Sequence, residues 1–213
     1  MKLVFYKQTD GTKPAGKFIS SLPTKLRAKV MRDLDLLEKY GFNLGLPYVR
    51  KIQGAKYEKL YEMRTKFASN ITRIFYFFET KDGIVILNGY LKKSDKTDKK
   101  ELDKALKYMN DYLEREIKMS RSFESYASVK KELFKNDKKL KAEYDALAPR
   151  YELISKAIDA RLKKKMTQAD VAKKMGTTKS SISRFESGNY NPSFDFLIRL
   201  SDALGKKLKV SMA

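Results

Sequence analysis

The chain has no histidine and no cysteine. The first absence removes the side chain that most enzymes use to move protons near neutral pH. The second excludes disulfides and thiol catalysis. Together they leave a zinc site without its usual ligands. No run of about 18 apolar residues occurs, so no transmembrane helix is expected. The start, Met1 to Gly11, turns polar too soon for a signal peptide. Cytoplasmic residence with no membrane partner is the resulting expectation. Acidic residues are also scarce, 26 against 47 Lys and Arg, for a net charge of +21. A balance that basic suggests a polyanionic partner. Residues 1–118 carry 26 basic against 15 acidic side chains and residues 119–213 carry 21 against 11, so both halves are basic. At 213 residues and 42% hydrophobic, the chain has room for one large domain or two small ones and is not disordered as a whole.

Lys2 to Lys7 reads as an opening strand. Pro23 starts a helix with Leu26, Val30, Leu34 and Leu37 on one face and Gly41 as its stop. Three strands follow: Tyr57 to Arg64, Ile71 to Phe78, and Ile84 to Tyr90, the last two joined by a Lys81-Asp82-Gly83 turn. A helix from Asp98 to Arg115 carries Leu102, Leu106, Met109 and Leu113 on one stripe. This first half is a small α+β sheet with its helices on one side. Ser122 to Leu147 is a charged helical stretch whose apolar stripe (Phe123, Tyr126, Val129, Leu133, Phe134, Leu140, Tyr144 and Leu147) is too thin to stand alone. It needs a partner surface. Pro149 punctuates it, and four further helices are expected beyond. "LEREIK" ends one helix and "MSRSFES" has the look of a protein's beginning, so Met119 reads as the start of a second protein joined to the first.

Within "TQADVAKKMGTTKSSISRFESG", residues 167–188, Gln168, Ala172 and Gly176 are spaced four apart, and Ile182 and Phe185 close the pattern. A helix-turn-helix needs a small residue where its helices meet, a glycine in the turn and apolar residues on the second helix. Thr167 and Thr178 stand at N-cap positions. The exposed face of the second helix shows Lys179, Ser180, Ser181, Ser183 and Arg184, short polar and basic groups suited to base edges and phosphates. Asn189 and Asn191 lie in the following loop. From about Tyr151 to Leu208 this resembles the Cro and λ-repressor (XRE) family. The resemblance implies operator DNA as partner, with Gln168, Thr178, Lys179, Ser180, Ser181, Ser183, Arg184 and Asn189 at the interface. It also implies a dimer through this half, in which Lys207 to Met212 pairs as a strand.

In the first half, alternation in Ile71-Thr72-Arg73-Ile74-Phe75 puts Arg73 inside an apolar strand, where an arginine must find an anion or water. Arg64 ends its strand, and Lys92 and Lys93 follow theirs, in "YLKKSDKTDKK", which holds five lysines in eleven residues. Short turns gather these cations on one sheet face. Taken singly, each lysine is more simply a solvated surface charge. Lys99 and Lys100, beside Glu101 and Asp103 on a helix, fit that reading.

"KLYEMR", "ITRIFYFF" and "ILNGYLKKSDKT" resemble the RelE/HigB toxin superfamily, in particular its phage-derived Gp49-like branch, over nearly all of residues 1–116. The resemblance implies an mRNA interferase that cuts codons on the ribosome with no metal and no cofactor. It puts Arg64, Arg73, Lys92, Lys93 and Lys96 at catalytic positions, and Lys51, Lys56 and Tyr90 at substrate contacts. Some HigB relatives use histidine there; this chain must use lysine and arginine. Attack of a 2′-hydroxyl on the adjacent phosphate builds charge that guanidinium and ammonium groups stabilise. Clustered cations depress one another's pKa, which suits Lys92 or Lys93 as general base, with Arg64 and Arg73 as clamps.

Toxin first and XRE second is the HigB–HigA order. Residues 1–118 are then the toxin, 119–149 a toxin-binding arm, and 150–213 the DNA-binding domain. Glu124, Glu132, Asp137, Glu143 and Asp145 are the arm's acids available to offset toxin cations. The expected function is a ribosome-dependent endoribonuclease held inactive by its attached antitoxin, which also represses the operon. Two other readings compete: a transcription regulator with a non-catalytic sensor half, and a dead toxin acting as co-repressor.

Overall fold

A computed structural model of the chain describes residues 1–79, 83–92, 98–118 and 124–210, with backbone alone for 116–118. The Lys81-Asp82 turn, Lys93, Lys96, Met119, Ser122, Phe123 and Met212 lie outside the described residues. The chain divides into two compact units, residues 1–147 and 148–213.

The first unit is built on a six-stranded sheet. Its strands are β1 (Lys2–Phe5), β2 (Val49–Lys51), β3 (Leu60–Phe67), β4 (Asn70–Phe78), β5 (Gly83–Leu91) and β6 (Glu124–Ser125), ordered β2-β3-β4-β5-β1-β6. All neighbours are antiparallel except β1 and β5. The class is thus α+β with a mainly antiparallel sheet. The strand read as Tyr57 to Arg64 runs instead from Leu60 to Phe67, so Arg64 is mid-strand; Ala55–Tyr57 forms a 3₁₀ turn. The short edge strand β2 and the two-residue β6 give no periodic signal, being too brief to show alternation.

Helices cover both faces of the sheet rather than one. One face, with Val4, Tyr6, Leu60, Phe75, Phe77, Val85 and Leu87, packs on α3 (Lys99–Lys118) through Leu102, Ala105, Met109 and Tyr112. The other carries α1 (Pro14–Ser20) and α2 (Thr24–Tyr40). Thr65, cross-strand from Thr72, donates to buried Asp33 of α2 at 2.6 Å, which fixes that side. Gly89 sits there too: a Cβ on it would lie 2.5 Å from Phe18 of α1, so only glycine permits the approach. With buried residues on both faces, β4 reads as a near-continuous apolar run and hides which side each helix takes.

α2 is buried nearly all round, because residues 124–147 cover its outer side. That stretch is β6 followed by two helices, α4 (Tyr126–Asn136) and α5 (Lys138–Ala146), not one continuous helix. Asp137 breaks it, with non-helical backbone and a side chain that accepts from Leu140 N at 2.8 Å. The thin stripe finds its surface here: Leu140 and Tyr144 are buried against Ala28 and Met31, with Leu133, Phe134 and Leu147 around them. Asp35 accepts from Tyr126 Oη at 3.0 Å, from Lys130 Nζ at 2.7 Å and from the Tyr144 hydroxyl. Arg32 lies 3.5 Å over the Tyr144 ring and donates to the Tyr144 carbonyl. Of the stretch's acids, Glu124 pairs with Lys13 and Asp137 with Arg27, whereas Asp145 pairs with its own neighbour Lys141.

The second unit, described to Val210, is helical: α6 (Ala148–Lys163), α7 (Gln168–Lys174), α8 (Lys179–Glu186) and α9 (Phe194–Ala203). Pro149 opens α6 rather than separating it, since a first-turn proline gives up no helical bond. Ile154, Ile158, Val171, Ala172, Ile182, Phe185, Phe196 and Leu200 form the core. No strand occurs at 207–210.

Leu140 is fully buried between α5 and α2. Leu140→Ala is expected to destabilise the first unit by about 2–5 kcal/mol in urea unfolding. It should also speed limited proteolysis within 124–147.

Candidate functional site

Strand register decides which cations meet. Arg64 of β3 stands directly opposite Arg73 of β4, which stands opposite Tyr90 of β5. One pair along, on the same face, come Arg50 of β2, Glu62, Phe75 and Asn88. In the other direction Lys66 faces Ile71, and Lys92 continues the alternation from Tyr90, its N–H bonded to the Ile71 carbonyl at 2.8 Å. The row therefore holds Arg50, Arg64, Lys66, Arg73, Tyr90 and Lys92, all on the α3 face. Arg50 and Lys66 are exposed and were missed in the sequence. Their signal is the plain period of two along "VRK" and "RTK".

Glu62 was missed as well. It is buried, at 1% exposure, and accepts from Arg64 Nε at 2.6 Å and Arg73 Nη1 at 2.8 Å. Arg73, at 4% exposure, finds its required anion inside the protein, while Arg64 keeps 30% of its side chain open to solvent. The sequence signal was present in "YEMR": a carboxylate two residues before an arginine on a strand shares its face.

The proposed substrate contacts divide. Tyr90 belongs to the row; it is half-buried, and its hydroxyl accepts from Asp98 N at 3.1 Å at the N-terminus of α3. Burial pushes its pKa up, against the pull of the Asp98 hydrogen bond and Arg73. Lys56 is exposed and tied to α3 instead, since Asp103 accepts from Lys56 Nζ and Tyr57 Oη, each at 2.7 Å. Those two bonds hold the Asp103 carboxyl below its ordinary range, and the first raises the Lys56 ammonium. Lys51 pairs with Tyr61, which lies on the α2 face with Met63 and Ile74. It is turned away from the row. Lys93 and Lys96 are outside the described residues.

In the second unit, Thr167 caps α7 with a reciprocal Asp170 contact and Thr178 caps α8 through Ser181 N. Gly176 takes a φ of +62° in the turn between them. Lys179, Ser180 and Arg184 are exposed on α8, Ser181 and Ser183 partly so, and Asn189 is exposed beyond it. Arg184 lies 5.5 Å from the Tyr190 ring. Gln168 does not join them. It is buried, donating to Glu186 at 2.7 Å, and Arg161 holds both oxygens of Glu186 at 2.7 and 3.0 Å. This inward network ties α6, α7 and α8 together.

The family profile "Phage derived protein Gp49-like (DUF891)" matches residues 17–110, and the profile "Helix-turn-helix" matches residues 158–210. The chain joins a Gp49-like domain to a helix-turn-helix domain. Gp49-like proteins are of the RelE/HigB toxin type, and this order matches a toxin–antitoxin fusion. No curated protein matches the chain. The first match spans α1 to most of α3, and so contains the whole cation row. Residues 119–149 fall between the two matches.

Because Lys56 and Tyr57 depress the Asp103 carboxyl, Lys56→Ala is expected to bring that carboxyl back toward its ordinary value, read by carbon NMR. In the unaltered chain the Lys56–Asp103 contact should persist at neutral pH and be lost as acid passes the depressed value.

Proposed function

We propose that residues 1–118 are an mRNA endoribonuclease of the HigB kind, acting at the ribosome. Residues 119–149 are the arm that neutralises it, and residues 150–213 bind operator DNA and repress the operon. The observation that carries the nuclease reading is the row of Arg64, Arg73, Tyr90 and Lys92 on one sheet face, with Arg50 and Lys66 beside it. A phosphodiester laid there meets guanidinium and ammonium groups as the 2′-oxygen attacks phosphorus and the 5′-oxygen leaves. Arg64 is the exposed clamp and Arg73 stands behind it. In this reading Lys92 takes the 2′-hydroxyl proton, with Lys93 as the alternative base and Lys96 as a further contact. The chemistry asks for no metal.

The arm lies on the α2 side, and the row lies on the α3 side. That arrangement favours inhibition by denying the ribosome over occlusion of the row. A toxin must fit into a crowded ribosomal cleft, and added mass on its far face is enough to prevent that. For the DNA half, Lys179, Ser180, Ser181, Ser183 and Arg184 on α8 read the major groove and Thr178 and Asn189 hold the backbone, in a dimer. A co-repressor without catalysis remains the second reading, favoured by the burial of Arg73.

Expression of residues 1–118 alone is expected to arrest growth, and co-expression of 119–213 to relieve it. Arg64→Ala should abolish the arrest. Harmless accumulation of folded 1–118 would leave the co-repressor reading in its place. In the whole chain, Arg184→Ala should weaken operator binding and lower its salt slope by about one, measured by fluorescence anisotropy across a salt series.

A further inference from the structure

A carboxylate beside a phosphate-binding row is electrostatically misplaced, and Glu62 is in the middle of this one. Coulomb attraction for a phosphate would be stronger without it. Part of its presence has a structural cause. Arg64 and Arg73 are direct cross-strand neighbours, and like charges so placed repel. Buried Arg73 also needs a counter-charge. Burial of Arg73 does not account for the other half of the geometry, and charge balance alone does not require a fixed edge of Arg64. While Oε2 of Glu62 takes Arg73, Oε1 takes the Nε edge of Arg64, a residue that solvent could otherwise hydrate. A guanidinium gripped along that edge can no longer swing through its rotamers. Its remaining donors hold one direction, which a bidentate contact to phosphate requires.

We infer that Glu62 is a positioning residue, which fixes the Arg64 guanidinium against an RNA phosphate while Arg73 anchors Glu62 from behind. This rests on reading the α3 face as a phosphate site. It assigns Arg73 a place in the support of the clamp rather than in the clamp.

The two views of Glu62 differ in sign. If it only balances charge, Glu62→Gln should tighten binding of a small phosphate ligand. If it positions Arg64, the same change should weaken binding. The probe is a nucleoside 3′-monophosphate titrated into the whole chain, followed through the Nε–Hε signals of the arginines by NMR. The expected result is a sharp, slowly exchanging Arg64 signal that moves on titration. Glu62→Gln should broaden that signal and weaken the ligand about tenfold, roughly one 1.4 kcal/mol step. In an Arg64→Ala background the same change should have no further effect, since Glu62 acts through Arg64. Equal or tighter binding by Glu62→Gln overturns the inference, as does a full additional loss in the Arg64→Ala background. Should Glu62→Gln fail to fold, the unaltered chain decides: an Arg64 signal already averaged by rotation overturns the inference. Failure of the underlying phosphate reading looks different, because the nucleotide would then leave the Arg64 signal of the unaltered chain unmoved.

Discussion

An arginine in the interior of a strand buried on both sides sets the terms for the first unit. Arg73 cannot be left without a counter-charge in that setting. Glu62, on the neighbouring strand and the same face, meets the demand. The consequence propagates along the register. Glu62 fixes where Arg64 lies, Arg73 fixes the pairing with Tyr90, and the alternation carries Lys92 to the same side. A slip of one residue between β3 and β4 would send Glu62 and Arg64 together to the α2 face and part both from Arg73. The ion pair therefore reports correct register as well as building the site.

The second organising element is α2. Its inner side meets the sheet through Asp33 and Thr65, and its outer side meets residues 124–147 around Asp35. The outer contact mixes apolar packing by Leu140 and Tyr144 with polar contacts: Asp137 to Arg27 has the expected sign, and a cluster around Asp35 has the opposite one. The carboxylate at its centre belongs to the Gp49-like domain, while the lysine and tyrosines that reach it belong to residues 124–147. Since the domain as a whole is basic, a partner relying on acidic residues alone would bind many basic surfaces. An acceptor at Asp35 flanked by Arg32 is a more particular address.

Much of this was legible in the sequence. The helix-turn-helix followed from five spacing conditions and two caps, each governed by local geometry, and each holds in the structure. The long strands were legible because β-branched and aromatic runs are separated by turns; their order, with β1 parallel beside β5, was not. Arg73 stood out because an arginine inside an apolar strand is conspicuous, whereas Arg64 and Lys92 were singled out from the ends of their strands and the family resemblance; register puts the three on one face. The misses in the cation row have one cause, which is that register between strands is not written in any single strand. Lys51 and Arg50 are adjacent in sequence, and only the pairing of β2 with β3 shows that Arg50, not Lys51, shares the row. Gln168 was misplaced because its partner Glu186 is 18 residues away on another helix. The coverage of both sheet faces was missed because a strand buried on two sides shows no alternation.

The double use of α2 has a wider bearing. Ala28, Met31, Arg32 and Asp35 are surface from the standpoint of the sheet and interior from that of residues 124–147. Substitutions there cannot drift as surface residues ordinarily do. Each change is judged by a segment encoded a hundred residues later, so the domain and the segment that covers it must alter in step. A chain that carries both on one polypeptide inherits the matching change together with the original one.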